Sequence, residues 1–391
     1  MILLRNGDLY APEPLGRMDV LIAGGSIVAV GTGLQPPRGV ATEVLDLSTT
    51  NIKITPGLID GHVHLAGAGG EGGPATRTPE LHLGQILAGG VTTAVGCLGT
   101  DGYTRSVENL LMKAKGLKQE GLSCWIYTGS YQIPPPTLTG ALATDLCYVE
   151  EVIGAGEIAV ADHRSSSPTV TELIKLAKQG RVGGMLGQKA GIIHLHMGDG
   201  REPYDRIYRA VERSELTLKQ FYPTHVNRNR HIFEASKTYG KKGFLDITTS
   251  SYAYFKDEEV KPSSALAGFL TAGVPPDHIT MSSDAGGSLP AFGEQGELVR
   301  MEIGQTTSLL AEARDAVRLE KLPFETVIRT LTANPAKILK LSRKGRIGVG
   351  LDADLLLLDE DFQVWGLLAG GRFQIREGQI LRRGTFEPAS P

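Results

Sequence analysis

Two rhythms of apolar and polar positions divide the chain. Residues 1–55 carry short alternating or β-rich runs punctuated by glycine, at 2–4, 20–22, 26–30 and 44–47. The same texture returns after residue 345, at 354–359, 364–365, 373–375 and 380–381. Short runs between Gly and Asp turns predict strands, and neither end alone offers enough of them for an independent core. The two ends are therefore expected to join in one small β-sandwich, residues 1–55 and 345–391, around an inserted domain.

The insert, residues 56–344, alternates strand-like runs with helical patterns. Strands are expected at 57–64, 92–98, 124–131, 158–163, 191–196, 223–226, 244–247 and 279–284. Helix-like segments lie among them at 106–120, 170–179, 229–239 and 263–271, followed by 303–319 and 323–341. Eight β-runs, most of them followed by a helix, predict an α/β chain built on a (β/α)8 TIM barrel.

Composition narrows the function. The 40 basic and 43 acidic side chains give a net charge of −3, which leaves no basic field for nucleic acid or an anionic membrane. No run reaches the roughly 18 apolar residues of a membrane span. Cys97, Cys124 and Cys147 lack CxxC spacing and cannot all pair, so a reducing cytoplasm is the expected setting. Glycine is in excess, 50 residues of 391, and without a collagen period the surplus belongs to loops.

Candidate chemistry gathers at the predicted strand ends, where barrel active sites form. His62 and His64 stand at i and i+2 on the first strand and so share a face. His196 and His225 close two later strands, and Asp284 closes the last. Four imidazoles and a carboxylate suit Zn2+, and a pair of ions needs about this many ligands plus a bridge. His194 is either a further ligand or a ring bonded within its strand. His82, His231 and His278 fall in helical or turn contexts that suggest solvated or capping roles, and His163 is expected to orient a loop or a neighbouring carboxylate.

The motif Pro56-Gly-Leu-Ile-Asp-Gly-His-Val-His64 resembles the first-strand motif of the amidohydrolase superfamily, whose barrels are of the metal-dependent hydrolase type. Within it the chain is similar, over nearly its whole length, to the isoaspartyl (beta-aspartyl) dipeptidases. The resemblance is carried by Gly67-Ala-Gly-Gly-Glu-Gly-Gly-Pro74, Leu98-Gly-Thr-Asp101, Asp162-His-Arg-Ser165, Arg181-Val-Gly-Gly184, His196-Met-Gly-Asp199, Pro223-Thr-His-Val-Asn-Arg-Asn229 and Ser282-Ser-Asp284. It implies a binuclear zinc hydrolase that splits isoaspartyl dipeptides into aspartate and an amino acid, and that assembles as a homo-oligomer. His62 and His64 would bind one ion, His196 and His225 the other, and Asp284 would be both a ligand and the proton relay. Glu71 would receive the substrate ammonium and Arg164 and Arg228 its carboxylates, with Thr100 and Ser288 in support. Tyr131 would polarise the scissile carbonyl.

One position departs from the resemblance. Relatives bridge the metals with a carboxylated lysine on the strand before Asp-His-Arg, yet no lysine occurs between Lys118 and Lys175. Glu157 stands where the lysine is expected. Either Glu157 bridges two ions with its own carboxylate, or it is an ordinary polar residue and the site holds one ion. A metal-activated water, with a pKa lowered from about 15.7 towards 7, would attack the side-chain amide. Glu71 and the two arginines match the one ammonium and two carboxylates of such a dipeptide. The glycines of 66–73 lack a phosphate-loop ending and are expected to allow close approach to a small substrate. The rival readings are cyclic-imide or N-acyl amino acid hydrolysis on the same metal core, and a non-catalytic scaffold.

Overall fold

Alternation decides the first unit. Its strands are β1 (Ile2–Tyr10), β2 (Pro14–Ala23), β3 (Ser26–Gly31), β4 (Glu43–Asp46) and β5 (Lys53–Pro56), in a computed structural model that describes residues 1–293 and 297–388. Leu4, Leu9, Val20, Ile22, Ile27 and Ile54 all point into one buried apolar cluster. β1 pairs antiparallel with β2 on one edge. On the other edge it pairs with β4 through Ile2–Arg5 and then with β5 through Asp8 and Leu9.

The insert is a curled parallel sheet. β6 (Leu58–Val63), β7 (Val91–Gly96), β8 (Ser123–Thr128), β9 (Val152–Val160), β10 (Ile192–Met197) and β11 (Phe221–Thr224) follow one another in a six-stranded sheet. β12 (Leu245–Thr248) and β13 (Ile279–Ser282) form a parallel pair. The chain beyond β13 returns to β6: Val63 bridges Ala285, and the Asp284 amide donates to the His62 carbonyl at 3.1 Å. Asp60 of β6 accepts from the Ser283 amide at 3.0 Å and from its hydroxyl, which fixes that return.

Each predicted strand run of the insert is a strand, with altered ends. β9 starts at Val152 rather than 158 because Gly154 and Gly156 make the run look like a loop. They are there for space: a Cβ on them would lie 2.6 Å from the Ile192 carbonyl oxygen and 2.7 Å from the His194 Cβ. Along the strands Leu58, Ala94, Ile126, Ile158 and Leu195 pack outward under the helices. Ile59, Val95, Tyr127, Ile153 and Tyr222 pack inward, with Ile338, Leu339 and Leu341 filling the base.

Helices form where sequence supplies a stripe and a cap. Val107–Glu120 buries Val107, Leu110, Ala114 and Leu117, starts at a Ser106 cap and stops at Gly121 with φ 111°. Val170–Leu186 runs beyond the predicted 179 from a Thr169–Glu172 capping box. The helix expected at 303–319 starts only at Ser308, because the preceding residues form an antiparallel hairpin of β14 (Ser288–Phe292) and β15 (Leu298–Ile303). The one expected at 323–341 breaks into Phe324–Thr330 and Ala333–Ile338, where Pro335 is tolerated in a first turn but not in a helix interior.

β16 (Leu355–Leu358), β17 (Val364–Ala369), β18 (Arg372–Arg376) and β19 (Gln379–Ile380) complete the terminal unit. They join the opening strands in one nine-stranded sheet, ordered β19-β18-β17-β16-β5-β1-β2-β3 with β4 beside β1. The link is β5, too short to stand out in the pattern, which pairs with β1 on one side and β16 on the other. The last three residues assigned to this unit, 389–391, lie outside the described residues. No helix among the described residues is long and apolar enough to cross a membrane.

A buried charge ties the terminal sheet to the insert. Lys344 contacts Asp354 at 2.5 Å, Asp352 at 2.9 Å and the Ser123 hydroxyl at the start of β8 at 2.7 Å. Removing one partner of a buried pair costs about 3–5 kcal/mol. Lys344→Met should therefore lower the urea midpoint clearly, and adding Asp354→Asn should recover part of the loss. A single variant as stable as the parent would contradict this pairing.

Candidate metal centre and active site

The upper ends of the strands hold a buried cluster of imidazoles and carboxylates. His62 and His64 leave β6 with their Nε2 atoms 3.4 Å apart. The His62 tautomer is set from behind: His194 Nδ1 lies 3.0 Å from the Tyr222 carbonyl and its Nε2 lies 2.7 Å from His62 Nδ1. His194 thus donates to the carbonyl and accepts from His62, so the lone pair of His62 Nε2 faces the cluster. His194 serves the strand interior, the second of the roles open to it.

The other pair is held in the same manner. His225 Nδ1 is 2.7 Å from the Thr248 hydroxyl, and His196 Nε2 is 3.0 Å from Asp162 Oδ2. Their remaining ring nitrogens, His225 Nε2 and His196 Nδ1, reach Glu157 Oε1 at 2.9 and 2.5 Å. Glu157 Oε2 lies 3.7 Å from the Nε2 atoms of both His62 and His64. One carboxylate therefore faces two histidine pairs, an oxygen to each.

The donors suit divalent ions. With metal–ligand bonds of about 2.0–2.2 Å, tetrahedral ligand atoms stand roughly 3.3–3.6 Å apart. Around the first pair the separations are 3.4 Å between the rings and 3.4 and 3.1 Å from the rings to Asp284 Oδ1. Among the described residues that oxygen is buried without a hydrogen-bond partner, as a ligand atom would be. His62, His64, Asp284 and Glu157 could hold one ion, and Glu157, His196 and His225 a second.

Electrostatics points the same way. Burial alone would raise the Glu157 and Asp284 carboxyls, but the neighbouring imidazoles hold both well below the usual carboxylate range. Burial alone would lower His64, but Cys97 and Asp284 push it up to about 10, whereas burial and the charge of His196 bring His225 down to about 3. Such a cluster stabilises positive charge at its centre. His225 and Asp284 also sit at φ 60° and 57°, a left-handed conformation costing about 1–3 kcal/mol in a non-glycine residue and concentrated at functional sites. Space is kept clear by Gly99 and Gly287, where a Cβ would lie 2.9 Å from His64 Cε1 and 2.4 Å from Asp284 Oδ1.

A cavity of about 410 Å³ opens over the cluster, lined among others by Thr100, Tyr131, Arg164, Arg228 and Ser288. Arg164 makes a fork with both oxygens of Asp162 at 3.0 Å and reaches Glu71 at 3.5 Å and the Thr100 hydroxyl at 3.4 Å. Glu71 accepts from the Ser288 hydroxyl at 3.0 Å. Arg228 stands 3.6 Å from Asp162, and the Tyr131 hydroxyl 2.9 Å from His196 Nδ1. All the predicted site residues thus converge. Before Glu71, Gly67 and Gly69 crowd the chain's own Thr78 and Thr76 carbonyls, at 2.4 and 2.5 Å from a Cβ, and so fold the loop back on itself.

Several residues of the site were not singled out by sequence. Asp162 orients Arg164, Arg228 and His196 together, and its place in Asp-His-Arg was the available signal. Cys97 borders His64, with Sγ 3.9 Å from Nδ1, and Glu259 lines the cavity. Of the remaining histidines, His82 caps the helix Leu83–Leu87, and His163 keeps an exposed ring 3.7 Å from Asp162. His278 is buried against the Gly240 carbonyl at 2.8 Å, not solvated.

Residues 208–373 match the model of the amidohydrolase family. A beta-aspartyl dipeptidase of Fervidobacterium islandicum AW-1, solved in complex with beta-Asp-Leu dipeptide, is 39% identical over 99% of this chain and 100% of its own, with a TM-score of 0.91. The chain belongs to the amidohydrolase family. As an amidohydrolase it is a hydrolase, and its likeness to beta-aspartyl dipeptidases spans both units. A dihydroorotase of Citrifermentans bemidjiense is 35% identical across 92% of this chain and 89% of its own. A D-hydantoinase of Thermus sp., at 16% identity and a TM-score of 0.72, shares the fold.

Glu259 gives this amidohydrolase a pH signature. Burial lifts its carboxyl to about 8, against the Ser251 hydrogen bond at 2.8 Å and the Arg228 charge, which lower it. Between an unfolded-state value of about 4.3 and that one, the folded state keeps a proton the unfolded state has lost, so stability falls as pH rises through the window. Glu259→Gln should raise Tm more at about pH 9 than at about pH 5. An equal shift at both would contradict the burial effect.

Proposed function

We propose that the chain hydrolyses β-aspartyl dipeptides to aspartate and an amino acid at a centre of two zinc ions. The observation that carries this reading is the adjacency of Glu71 to Arg164, 3.5 Å away, with Arg164 and Glu71's partner Ser288 both lining the cavity. An aspartyl residue linked through its side chain keeps its ammonium and α-carboxylate on the same carbon. A neighbouring acid and base are the charge pattern for that head, Glu71 for the ammonium and Arg164 for the carboxylate. An α-linked aspartyl peptide lacks that carboxylate, and dihydroorotate lacks the ammonium. Arg228, which also stands beside Asp162, would take the carboxylate of the leaving residue.

Ions held by His62, His64, Glu157, His196, His225 and Asp284 would supply Lewis acidity and a water acidified towards neutral pH. Asp284 would take the proton of the attacking water and return it to the leaving amine. The Tyr131 hydroxyl, its pKa raised by burial, stays protonated and would donate to the scissile carbonyl oxygen as charge develops there. Ser288 and Thr100 would steady Glu71 and Arg164. The supporting fold is read as a (β/α)8 barrel of residues 56–344 with its site at the strand C-termini. Residues 1–55 and 345–391 are read as a β-sandwich, with β1 passing from β4 to β5 as a corner strand does.

The dihydroorotase relative supports a second reading, opening of a cyclic amide on the same ligands. An assay of β-Asp-Leu, α-Asp-Leu and dihydroorotate, with and without chelator, separates the two. The β-linked peptide should turn over at least about 100-fold faster than either alternative, since a site built for polar groups strongly rejects analogues lacking them, and chelation should abolish it. Preferred turnover of dihydroorotate, or rates indifferent to chelator, would overturn the proposal. Arg228→Met should raise KM for β-Asp-Leu by about 10–100-fold, the loss of one charged hydrogen bond; an unchanged KM would remove Arg228 from the substrate site.

A further inference from the structure

The thiol of Cys97 stands inside the metal-ligand cluster. Its amide donates to the Val63 carbonyl at 3.0 Å, which seats Cys97 beside the residue between His62 and His64. Its side chain turns inward with Ile59 and Val95, whereas Cys124 packs in the outer core. Sγ lies 3.9 and 4.0 Å from the two ring nitrogens of His64 and 3.7 Å from the Val63 carbonyl oxygen. Donor atoms of His62, His64, Cys97 and Glu157 all fall within 4.8 Å of one another.

We propose that Cys97 is a thiolate ligand of the ion held by His62 and His64, a role that rests on the metal-centre reading above. With a metal–sulfur bond of about 2.3 Å and metal–nitrogen bonds of about 2.0–2.1 Å, the bond angles of about 90–120° in a five-coordinate ion set sulfur and nitrogen about 3.1–3.8 Å apart. Cys97 is within a few tenths of an ångström of that spacing. On ligation the thiol proton leaves to solvent and a sulfur–metal bond replaces the S–H bond. The consequence is an asymmetric pair: the first ion has a soft sulfur donor in addition to His62, His64, Glu157 and Asp284, and the second has histidine and carboxylate donors alone. Soft donors favour zinc, cadmium and cobalt over magnesium and manganese at the first position.

Cobalt(II) tests this without a functional assay. The metal-stripped full chain reloaded with cobalt should show a sulfur-to-cobalt charge-transfer band in the near ultraviolet. Cys97→Ser should lose the band and bind the tighter ion about tenfold or more weakly, while Cys124→Ser keeps both. A cobalt-loaded chain without the band, or a Cys97→Ser variant that retains it, overturns the thiolate role and leaves the metal centre standing. Failure to bind cobalt at all overturns both.

Discussion

The geometry of the site depends on one buried carboxylate. Glu157 has an oxygen turned towards each of two imidazole pairs, and the four rings come from three different strand ends. Without a negative charge at that point, the buried ring nitrogens and the orphaned oxygen of Asp284 would have no common centre. Burying an ionised group is costly unless it is paired, so Glu157 and the histidines constrain one another. Around His62 and His64 the donor atoms stand at distances that suit metal ligands, and His62, His196 and His225 each have a backing hydrogen bond from outside the cluster.

The surroundings serve that constraint. His194, Thr248 and Asp162 choose the ring nitrogens that face inward. Asp60 and Ser283 bring the end of β13 against β6, which carries Asp284 to the first histidine pair. Below, Asp246 accepts hydrogen bonds from Thr224, Thr280 and Ser282 at 2.7, 2.6 and 2.5 Å and so joins three strands. The left-handed backbone at His225 and Asp284 is tolerated because these networks fix both strand ends. Asp162 then links the buried cluster to the cavity: its Oδ2 stands within 3.0–3.6 Å of His196 and of both arginines. Binding charge and reacting charge are thus parts of one hydrogen-bonded chain.

Strands with apolar alternation were legible in the sequence, because a sheet buried on both faces leaves little freedom in residue type. The clustered histidines were legible because they recur at strand ends, and Glu157 because a lysine was missing. Other features depend on tertiary contact and leave no local pattern. The start of β9 is hidden by glycines whose purpose is to admit Ile192 and His194. β5 is four residues long and becomes a strand only between β1 and β16. Ile303, read as the first residue of a helix, instead ends the hairpin of β14 and β15. Asp162 and Cys97 are single residues whose roles appear only when distant strands meet, and the adjacency of Glu71 and Arg164 joins loops far apart in the chain.

A carboxylated lysine draws its carboxylate from dissolved carbon dioxide, whereas Glu157 brings its own. Metal analysis of the full chain, stripped and then reloaded with zinc in carbonate-free buffer, therefore bears most directly on the central claim. The account predicts two zinc ions per chain with no gain from added bicarbonate. Loading that stops at one ion, or that rises with bicarbonate, would contradict it.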